Sequence, residues 1–314
     1  MKQIYKIEPI LEERIWGGQK IREHFHYETK LQNIAQAYHV IAIPGHLDCR
    51  VCDTNMTLSE FYNKNRELFD CDKEELPVRL VTGCANGRLS VHLHPRDEYA
   101  LLHEKMRGKV EGCTMIPLDD EENLCEMILG HNANSIEEFT DLADKGDWDH
   151  LLRTISFHSS DFLYYPYNCI HGEIGDGNHI AVAYSTNGDV SYRLYDYDRN
   201  DPNRPLHKKE VLENVNIPDL EGGIVNYQSE MLNGCMIYHY FELPGEFTAK
   251  RIKVCREGTF NYTAFQFLLC GNGSGYIDDV AITAGDTVFV PANYGEIKIS
   301  GAVDLYMISY TKIE

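Results

Sequence analysis

Two histidines stand two residues apart in the segment SVHLHP, which alternates polar and apolar side chains. On a β-strand, side chains two positions apart point to the same face, so His92 and His94 are expected to project together. Paired imidazoles can bind a borderline metal ion when a carboxylate joins them. Glu111, on a later strand, and His171, at the end of another apolar run, would complete the set. The sequence therefore predicts a metal site made of these four side chains, and it leaves zinc, manganese, iron and nickel all open.

A His-x-His pair alone is more often a surface pair than a metal site, so the order of the motifs around it matters. HLHPRDEYA begins at His92, GKVE ends at Glu111, and PYNCIH ends at His171. Two further segments are RIWGG, which begins at Arg14, and SYRLYDYDR, which contains Arg193. In these motifs and their order the chain resembles the short bacterial type I mannose-6-phosphate isomerases of the cupin superfamily. The likeness covers nearly the whole chain and weakens after about Leu220.

The resemblance implies a metal-dependent aldose–ketose isomerase of carbohydrate metabolism. Such an enzyme interconverts mannose 6-phosphate and fructose 6-phosphate by metal-assisted proton transfer through an enediol. The family metal is zinc, so Zn2+ is the expected cofactor, with Mn2+, Fe2+ or Ni2+ as other ions that this donor set accepts. The chemistry needs a Lewis acid, a base with a pKa near neutrality, and cationic groups for the phosphate.

The resemblance also implies roles for single residues. Arg193 matches a family arginine that lies over the reacting carbons, where a guanidinium can stabilise an enediolate without losing its proton. Lys109 matches a family lysine beside the metal-ligand glutamate, and it lies two residues before Glu111. Ser90 shares the strand face of His92 and is expected to hydrogen-bond to the substrate.

A small basic cluster in this acidic chain offers a phosphate contact, and the family has a similar Leu-His-Lys stretch. Its members are Arg204, His207, Lys208 and Lys209. Arg204 and Lys208 are the predicted substrate-binding residues, with a solvated helix start as the alternative. For Arg193 the alternative is a surface ion pair with Asp196 or Asp198.

Several positions depart from the family pattern. His92 stands where the family has a glutamine ligand, which keeps a metal ligand at that position. The family Gly-Glu-x-Trp segment becomes the segment around Gln36, and a family lysine and aspartate fall at Val81 and Cys84. The family Glu-x-Gln-Gln segment begins at Ala183, so a carboxylate next to the site is replaced by a methyl group.

Loss of that carboxylate matters because acid–base catalysis contributes orders of magnitude in rate. Glu173 lies two residues after His171 and would face the same way on a strand, so we predict it as a substitute base or an extra metal contact. Two other readings stay open: a catalytically altered sugar-phosphate binder or sensor, or an isomerase of a different aldose phosphate. Cupin oxygenase chemistry with iron or manganese is a third, since three histidines and a glutamate also suit it.

Composition restricts the partners. The 314 residues include 49 acidic and 29 basic ones, a net charge of −20. Such a surface repels phosphate backbones and anionic lipids, so neither nucleic acid nor membrane is expected as a partner. The N-terminal segment lacks the apolar core of a signal peptide, and ten scattered cysteines are typical of reduced, buried thiols. We expect a cytoplasmic protein, a monomer or homodimer, that takes a small-molecule sugar phosphate.

The predicted fold class is all-β, a double cupin of two β-barrels or jelly rolls with α-helices inserted in the first half. Two capping-box sequences, at Thr57 and Ser135, predict helical insertions over about 57–69 and 135–155. The segment FLYYP from Phe162 is echoed by TVFVP from Thr287, without a His-x-His pair before the second copy. We therefore expect a metal-binding catalytic domain over 1–222 and a second, metal-free barrel over 223–314.

Overall fold

The computed structural model of the protein describes residues 3–118, 123–219 and 221–313. Its strands are β1 Tyr5–Glu8, β2 Ile10–Gly18, β3 Ile34–Val40, β4 Arg50–Val51, β5 Met56–Thr57, β6 Val78–Gly83, β7 Asn86–Arg88, β8 Val91–Leu93, β9 Glu111–Ile116, β10 Leu124–His131, β11 Leu152–His158, β12 Phe162–Tyr165, β13 His171–Asp176, β14 Ile180–Thr186, β15 Tyr192–Tyr195, β16 Gly223–Val225, β17 Gln228–Leu232, β18 Cys235–Leu243, β19 Phe247–Val254, β20 Glu257–Asn261, β21 Gln266–Ile277, β22 Val280–Thr283, β23 Thr287–Val290 and β24 Glu296–Ser309. Its helices are α1 Lys20–Phe25, α2 Leu58–Lys64, α3 Arg66–Phe69, α4 Asp97–His103, α5 Ile136–Lys145, α6 Trp148–Leu151 and α7 Lys208–Asn214.

Three antiparallel sheets account for these strands. A seven-stranded sheet runs in the order β16-β12-β9-β14-β6-β3-β2, and a six-stranded sheet contains β11-β10-β13-β8-β15 with β7 beside β13. The third sheet has eleven strands and is built from β17 to β24 together with β1, β4 and β5. The seven- and six-stranded sheets both contribute residues to one cavity. The predicted all-β double-cupin class is confirmed.

The first strand of the chain joins the sheet of the C-terminal half. Tyr5 on β1 is the register partner of Phe289 on β23, and Phe289 stacks on Phe69 of α3 with ring centroids 4.4 Å apart. Every residue of β23 is buried, because both faces of this strand are covered by apolar side chains. Burial of one such phenylalanine stabilises the fold by about 1.5–3 kcal/mol. Since β1 of the N-terminal part pairs with β23 of the C-terminal part, the expected domain boundary between residues 222 and 223 stays a prediction.

The capping signals place the helices, although one helix ends earlier than expected. Thr57 accepts a hydrogen bond from the Glu60 amide while the Glu60 carboxylate accepts one from the Thr57 amide, so α2 begins at the predicted residue. The expected helix over 135–155 is wrong beyond Leu151, because β11 begins at Leu152 and pairs with β10. The β-branched residues of LRTISF favour that strand. None of the helices in the described ranges has the length and apolar character to span a membrane.

His39 is a buried histidine that hydrogen-bonds to strands of both halves of the chain, and its burial makes the stability of the fold depend on pH. His39 on β3 bonds to Thr82 Oγ1 at 3.0 Å and to Thr287 Oγ1 on β23 at 3.1 Å. Burial lowers its pKa from 6.5 to about 3. The unfolded chain binds a proton at His39 near pH 6.5, and the folded chain does not. The contribution of His39 to the free energy of unfolding is therefore greatest above pH 6.5 and decreases as the pH falls towards 3.

We expect the wild-type protein to lose about 2 kcal/mol more stability than the His39→Gln variant between pH 7 and pH 5. Urea unfolding of both proteins at the two pH values measures this difference. Parallel losses in the two proteins would show that His39 is not the responsible group.

Candidate metal centre

The structure brings the three predicted histidines together. His92 on β8 and His171, the first residue of β13, are register partners, and His94 follows directly after β8. The three imidazole centroids lie 4.3 to 4.9 Å apart. One ring nitrogen from each histidine lies within 4.8 Å of the others. The sequence pattern alone identified all three, and their role as ligands stays a prediction at this point.

Backbone carbonyls fix the orientation of each imidazole. Each histidine hydrogen-bonds through Nδ1 to a carbonyl oxygen, at 2.7 Å for His92, 2.8 Å for His94 and 3.0 Å for His171. A carbonyl oxygen only accepts, so Nδ1 must carry the proton in each ring. The neutral imidazole then has its lone pair on Nε2, the arrangement typical of histidines that bind metal.

Glu111 supplies a carboxylate beside these nitrogens. Its Oε2 lies 2.9 Å from His94 Nε2, 3.7 Å from His171 Nε2 and 3.2 Å from Lys109 Nζ. His94 Nε2 is buried and has no hydrogen-bond partner with suitable geometry among the described residues. Two acceptor atoms therefore face each other at 2.9 Å, an arrangement that a cation between them would stabilise.

Burial and neighbouring charges set the protonation states. Burial lowers the pKa of His94 to about 3, and burial together with His171 and His94 lowers the pKa of His92 well below 6.5. For Glu111, burial acts to raise the pKa, but Lys109 and the neighbouring histidines hold it well below 4.5. Neutral imidazoles and an ionised carboxylate are the forms that bind a divalent cation, so the donor set fits such an ion.

A cavity of about 700 Å³ opens beside this cluster. The residues on its wall that the sequence predicted as metal ligands, catalytic groups or substrate contacts are Ser90, His92, Lys109, Glu111, His171, Glu173, Arg193 and Arg204. They come from both N-terminal sheets and from the loops between them. Val81 and Ala183, which are register partners on β6 and β14, also line the cavity and present apolar side chains there.

Arg193 has no ion-pair partner in the part of the chain that the structure describes. Its Nη1 donates to the Pro205 carbonyl at 2.8 Å, and its buried Nε has no acceptor. Asp196 pairs instead with Arg199 at 2.7 Å and with Arg204 at 3.3 Å. The alternative of a surface ion pair between Arg193 and Asp196 is therefore not what the structure contains.

Arg204 lies next to Arg193 at the same side of the cavity. Its guanidinium lies over the Trp16 ring, 4.6 Å from the centroid, and its Nη2 donates to Ser90 Oγ at 3.4 Å. Burial lowers the pKa of Arg193, and the positive charge of Arg204 lowers it further. Arg204 pairs with Asp196, and Arg193 has no ion-pair partner among the described residues, so this side of the cavity carries excess positive charge.

Glu173 faces the cavity two residues after His171 on β13, as its position predicted. Its carboxylate has no hydrogen-bond or ion-pair partner among the described residues. Burial raises its pKa to about 7, with a smaller contribution from Asp176.

Lys208 is not brought to the site. It is the first residue of α7, its ammonium pairs with Asp144 on α5, and it does not line the cavity. The phosphate contact by Lys208 stays a prediction that this placement does not favour, because α7 carries this side chain towards a neighbouring helix.

Among the charged residues of the cavity wall that were missed from the sequence, Arg79 and Asp189 form an ion pair. Arg79 lies inside the apolar run PVRLVTGC on β6, and Asp189 follows β14 by three residues. Their side chains pair at 2.9 Å although they are far apart in the chain. The available signal was an arginine in a strand whose other residues are mostly apolar.

Comparison with known proteins gives clear relatives. No protein-family model matches the chain. The chain is 33% identical over 319 residues to the probable mannose-6-phosphate isomerase GmuF of Bacillus subtilis, which covers 97% of this chain and 98% of that protein. It is 36% identical over 222 residues to the mannose-6-phosphate isomerase ManA of Bacillus subtilis, covering 68% of each.

Solved structures agree over the whole length. A crystal structure of the mannose 6-phosphate isomerase from Bacillus subtilis matches with a TM-score of 0.89 and 26% identity, over 98% of this chain and 99% of that one. A zinc-bound mannose 6-phosphate isomerase matches with a TM-score of 0.77 and 13% identity, over the same shares, and at this identity the likeness concerns the fold alone.

Proposed function

The chain belongs to the mannose-6-phosphate isomerase family. We propose that it interconverts mannose 6-phosphate and fructose 6-phosphate with a bound divalent metal, zinc first among the candidates. One observation carries the proposal: His94 Nε2 and Glu111 Oε2 face each other at 2.9 Å on the wall of a cavity that also holds an unpaired arginine. The relatives over nearly the full length support the same activity.

The proposed metal ligands are His92, His94, Glu111 and His171. A divalent metal bound there supplies a Lewis acid that polarises the oxygens on the reacting carbons of the sugar. The chain's own contribution is to hold three imidazoles in one tautomer through their Nδ1–H bonds, and to keep the carboxylate ionised. Lys109, 3.2 Å from Glu111 Oε2, orients that carboxylate and adds a donor at the edge of the site.

Arg193 is proposed to stabilise the negative charge that develops on the enediolate oxygens. It is the register partner of His92 on the neighbouring strand, so its guanidinium begins beside the metal ligands. No carboxylate in the described ranges forms an ion pair with it, and its buried Nε has no acceptor there, so its charge is available to substrate. Because a guanidinium keeps its proton at neutral pH, it acts as a fixed positive charge and not as an acid.

Arg204 and Ser90 are proposed to contact the phosphate. The excess positive charge of Arg193 and Arg204 gives a chain of net charge −20 a local site for an anion. Arg204 is held over the Trp16 ring, which pre-orients its donors. This local field lets an acidic protein bind a sugar phosphate.

Glu173 is proposed as the base that moves a proton between C1 and C2 of the sugar. It lies on the cavity wall on the same strand face as His171, and no described side chain occupies its oxygens. A carboxylate near the reacting carbons can take the proton from one carbon and return it to the other. Ala183 supplies no such group on the opposite sheet.

We expect Glu173→Gln to lower kcat by about 100- to 1,000-fold with little change in KM, because the amide keeps the shape and loses the basic oxygen. The matched control is Glu126→Gln, an exposed carboxylate on the same cavity wall, which should stay within about twofold of wild type. Steady-state kinetics with mannose 6-phosphate give both values. Unchanged turnover in Glu173→Gln would remove this residue from the mechanism.

A second candidate function is a sugar-phosphate binder, or an isomerase of a different aldose phosphate. Val81 and Ala183 favour it, because they place apolar side chains on the cavity wall. Phosphorus NMR of the protein with mannose 6-phosphate, and separately with fructose 6-phosphate, distinguishes the candidates. Approach to one equilibrium from both sides supports the isomerase, whereas saturable binding without conversion supports the binder.

We propose a cytoplasmic location. All ten cysteines have free thiols in the structure, and most of them are buried, as is typical of a reducing compartment. Whether the protein is a monomer or a homodimer stays a prediction.

A further inference from the structure

Arg79 is a buried arginine on the cavity wall that the mechanism above does not use. Only 4% of its side chain is exposed. It lies on β6 two residues before Val81, so both side chains point to the same face of the sheet and both line the cavity. A charged group at such a position must be paired, or it must have a partner that arrives with a ligand.

The guanidinium of Arg79 is only partly satisfied within the protein. Nη1 makes both of its hydrogen bonds, to the Gly188 carbonyl at 2.7 Å and to Asp189 Oδ1 at 2.9 Å. In the described ranges Nη2 has no acceptor, and Nε is buried without one. A buried donor without an acceptor is costly and rare in native proteins, so the buried Nε–H of Arg79 calls for an acceptor from water or a ligand.

The ion pair between Arg251 and Asp304 is also buried, and in it both carboxylate oxygens accept from the guanidinium. Arg251 donates from Nε to Asp304 Oδ1 at 2.7 Å and from Nη2 to Asp304 Oδ2 at 2.5 Å. This two-pronged contact uses both carboxylate oxygens, and neither residue lines the cavity. In the Arg79–Asp189 pair only Nη1 of Arg79 donates to the carboxylate, and Nε and Nη2 donate to no described residue.

The charge of Arg79 is balanced, which decides the kind of ligand. Asp189 also lines the cavity, and its second oxygen bonds to His46 Nε2 at 2.7 Å. Arg79 and Asp189 together are therefore close to neutral, unlike Arg193, which has no ion-pair partner among the described residues. A neutral donor–acceptor pair suits hydroxyl groups, which donate and accept, better than it suits a phosphate.

We propose that Arg79 and Asp189 bind hydroxyl groups of the sugar away from the reacting carbons, and so select among aldose phosphates. This inference rests on the proposed function and extends it to substrate selection. The spare guanidinium donors bond to hydroxyl oxygens, and the Asp189 carboxylate accepts from a hydroxyl. A sugar that lacks the contacted hydroxyl leaves buried polar groups unpaired and is rejected.

The test compares mannose 6-phosphate with its 3-deoxy and 4-deoxy analogues, using metal-loaded wild type, Arg79→Lys and Asp189→Asn. Arg79→Lys keeps the buried positive charge and removes the fork of donors. In the wild type, loss of the contacted hydroxyl should lower kcat/KM by about 10- to 100-fold. In either variant kcat/KM for mannose 6-phosphate should fall by a similar factor. In that variant kcat/KM for the matching deoxy sugar should be no more than about twofold lower again.

Asp304→Asn is the matched control, since it breaks the other buried pair away from the cavity. It should lower the unfolding temperature and leave the ratio between parent and deoxy sugars as in wild type. The same ratios in all four proteins would overturn the inference, even with the isomerase activity intact. If the wild type binds without turnover, the comparison is made with dissociation constants, and absence of sugar-phosphate binding in the wild type would overturn both proposals.

Discussion

Replacement of His94 by alanine is expected to lower metal affinity by more than about 100-fold, because even the groups that support metal ligands typically contribute 10- to 100-fold. The reason is geometric. His94 is the only histidine whose Nε2 is 2.9 Å from the Glu111 carboxylate in the described structure, while His171 Nε2 lies 3.7 Å away. Without His94, the carboxylate has Lys109 as its main partner and the cation loses one side of its site.

Metal content after dialysis, measured by elemental analysis, tests this expectation independently of activity. Turnover of mannose 6-phosphate should fall with the metal content. The control is His24→Ala, a partly buried histidine that bonds to the Gly271 carbonyl at 2.8 Å and lies outside the cavity. A His94→Ala protein that retains one equivalent of metal, with the fold intact by circular dichroism, would contradict the assigned ligand set.

Arg193→Ala is expected to lower kcat by about 100- to 1,000-fold, the loss typical of removing one group that stabilises developing negative charge. The guanidinium lies on the cavity wall, and no carboxylate in the part of the chain that the structure describes forms an ion pair with it, so its charge acts on the substrate. Arg193→Lys should recover part of the loss, since it keeps the charge and loses the planar fork. Steady-state kinetics separate the effect on kcat from any effect on KM.

Arg199→Ala is the matched control for that prediction. Arg199 comes from the same segment, pairs with Asp196 at 2.7 Å and does not line the cavity. The kcat of Arg199→Ala should stay within about threefold of the wild-type value. A kcat for Arg193→Ala equal to that of Arg199→Ala would show that the charge of Arg193 does not act on the reaction.

Much of the candidate site follows from local sequence rules. The two-residue repeat of a strand places His92 and His94 side by side, and the same rule places Glu173 on the face of His171. Thr57 marks the start of α2 because its capping contacts lie within four residues. These features depend on neighbours in the chain, which the sequence displays directly.

Features that depend on distant pairing could not be predicted in this way. Arg79 finds Asp189 because β6 pairs with β14, an alignment of strands about a hundred residues apart. The charge of Lys208 alone indicates a phosphate contact, but α7 directs its side chain towards Asp144. The helix predicted to residue 155 gives way to β11 because pairing with β10 overrides local propensity.

The most direct measurement of the central claim is turnover of mannose 6-phosphate by chelator-treated protein as a divalent metal is added back. We predict negligible turnover without metal and a rise in turnover that stops at one equivalent of zinc per chain, with no restoration in His94→Ala. Turnover that does not depend on metal, or saturable sugar-phosphate binding without turnover at any metal loading, would contradict a metal-dependent isomerase built on His92, His94, Glu111 and His171.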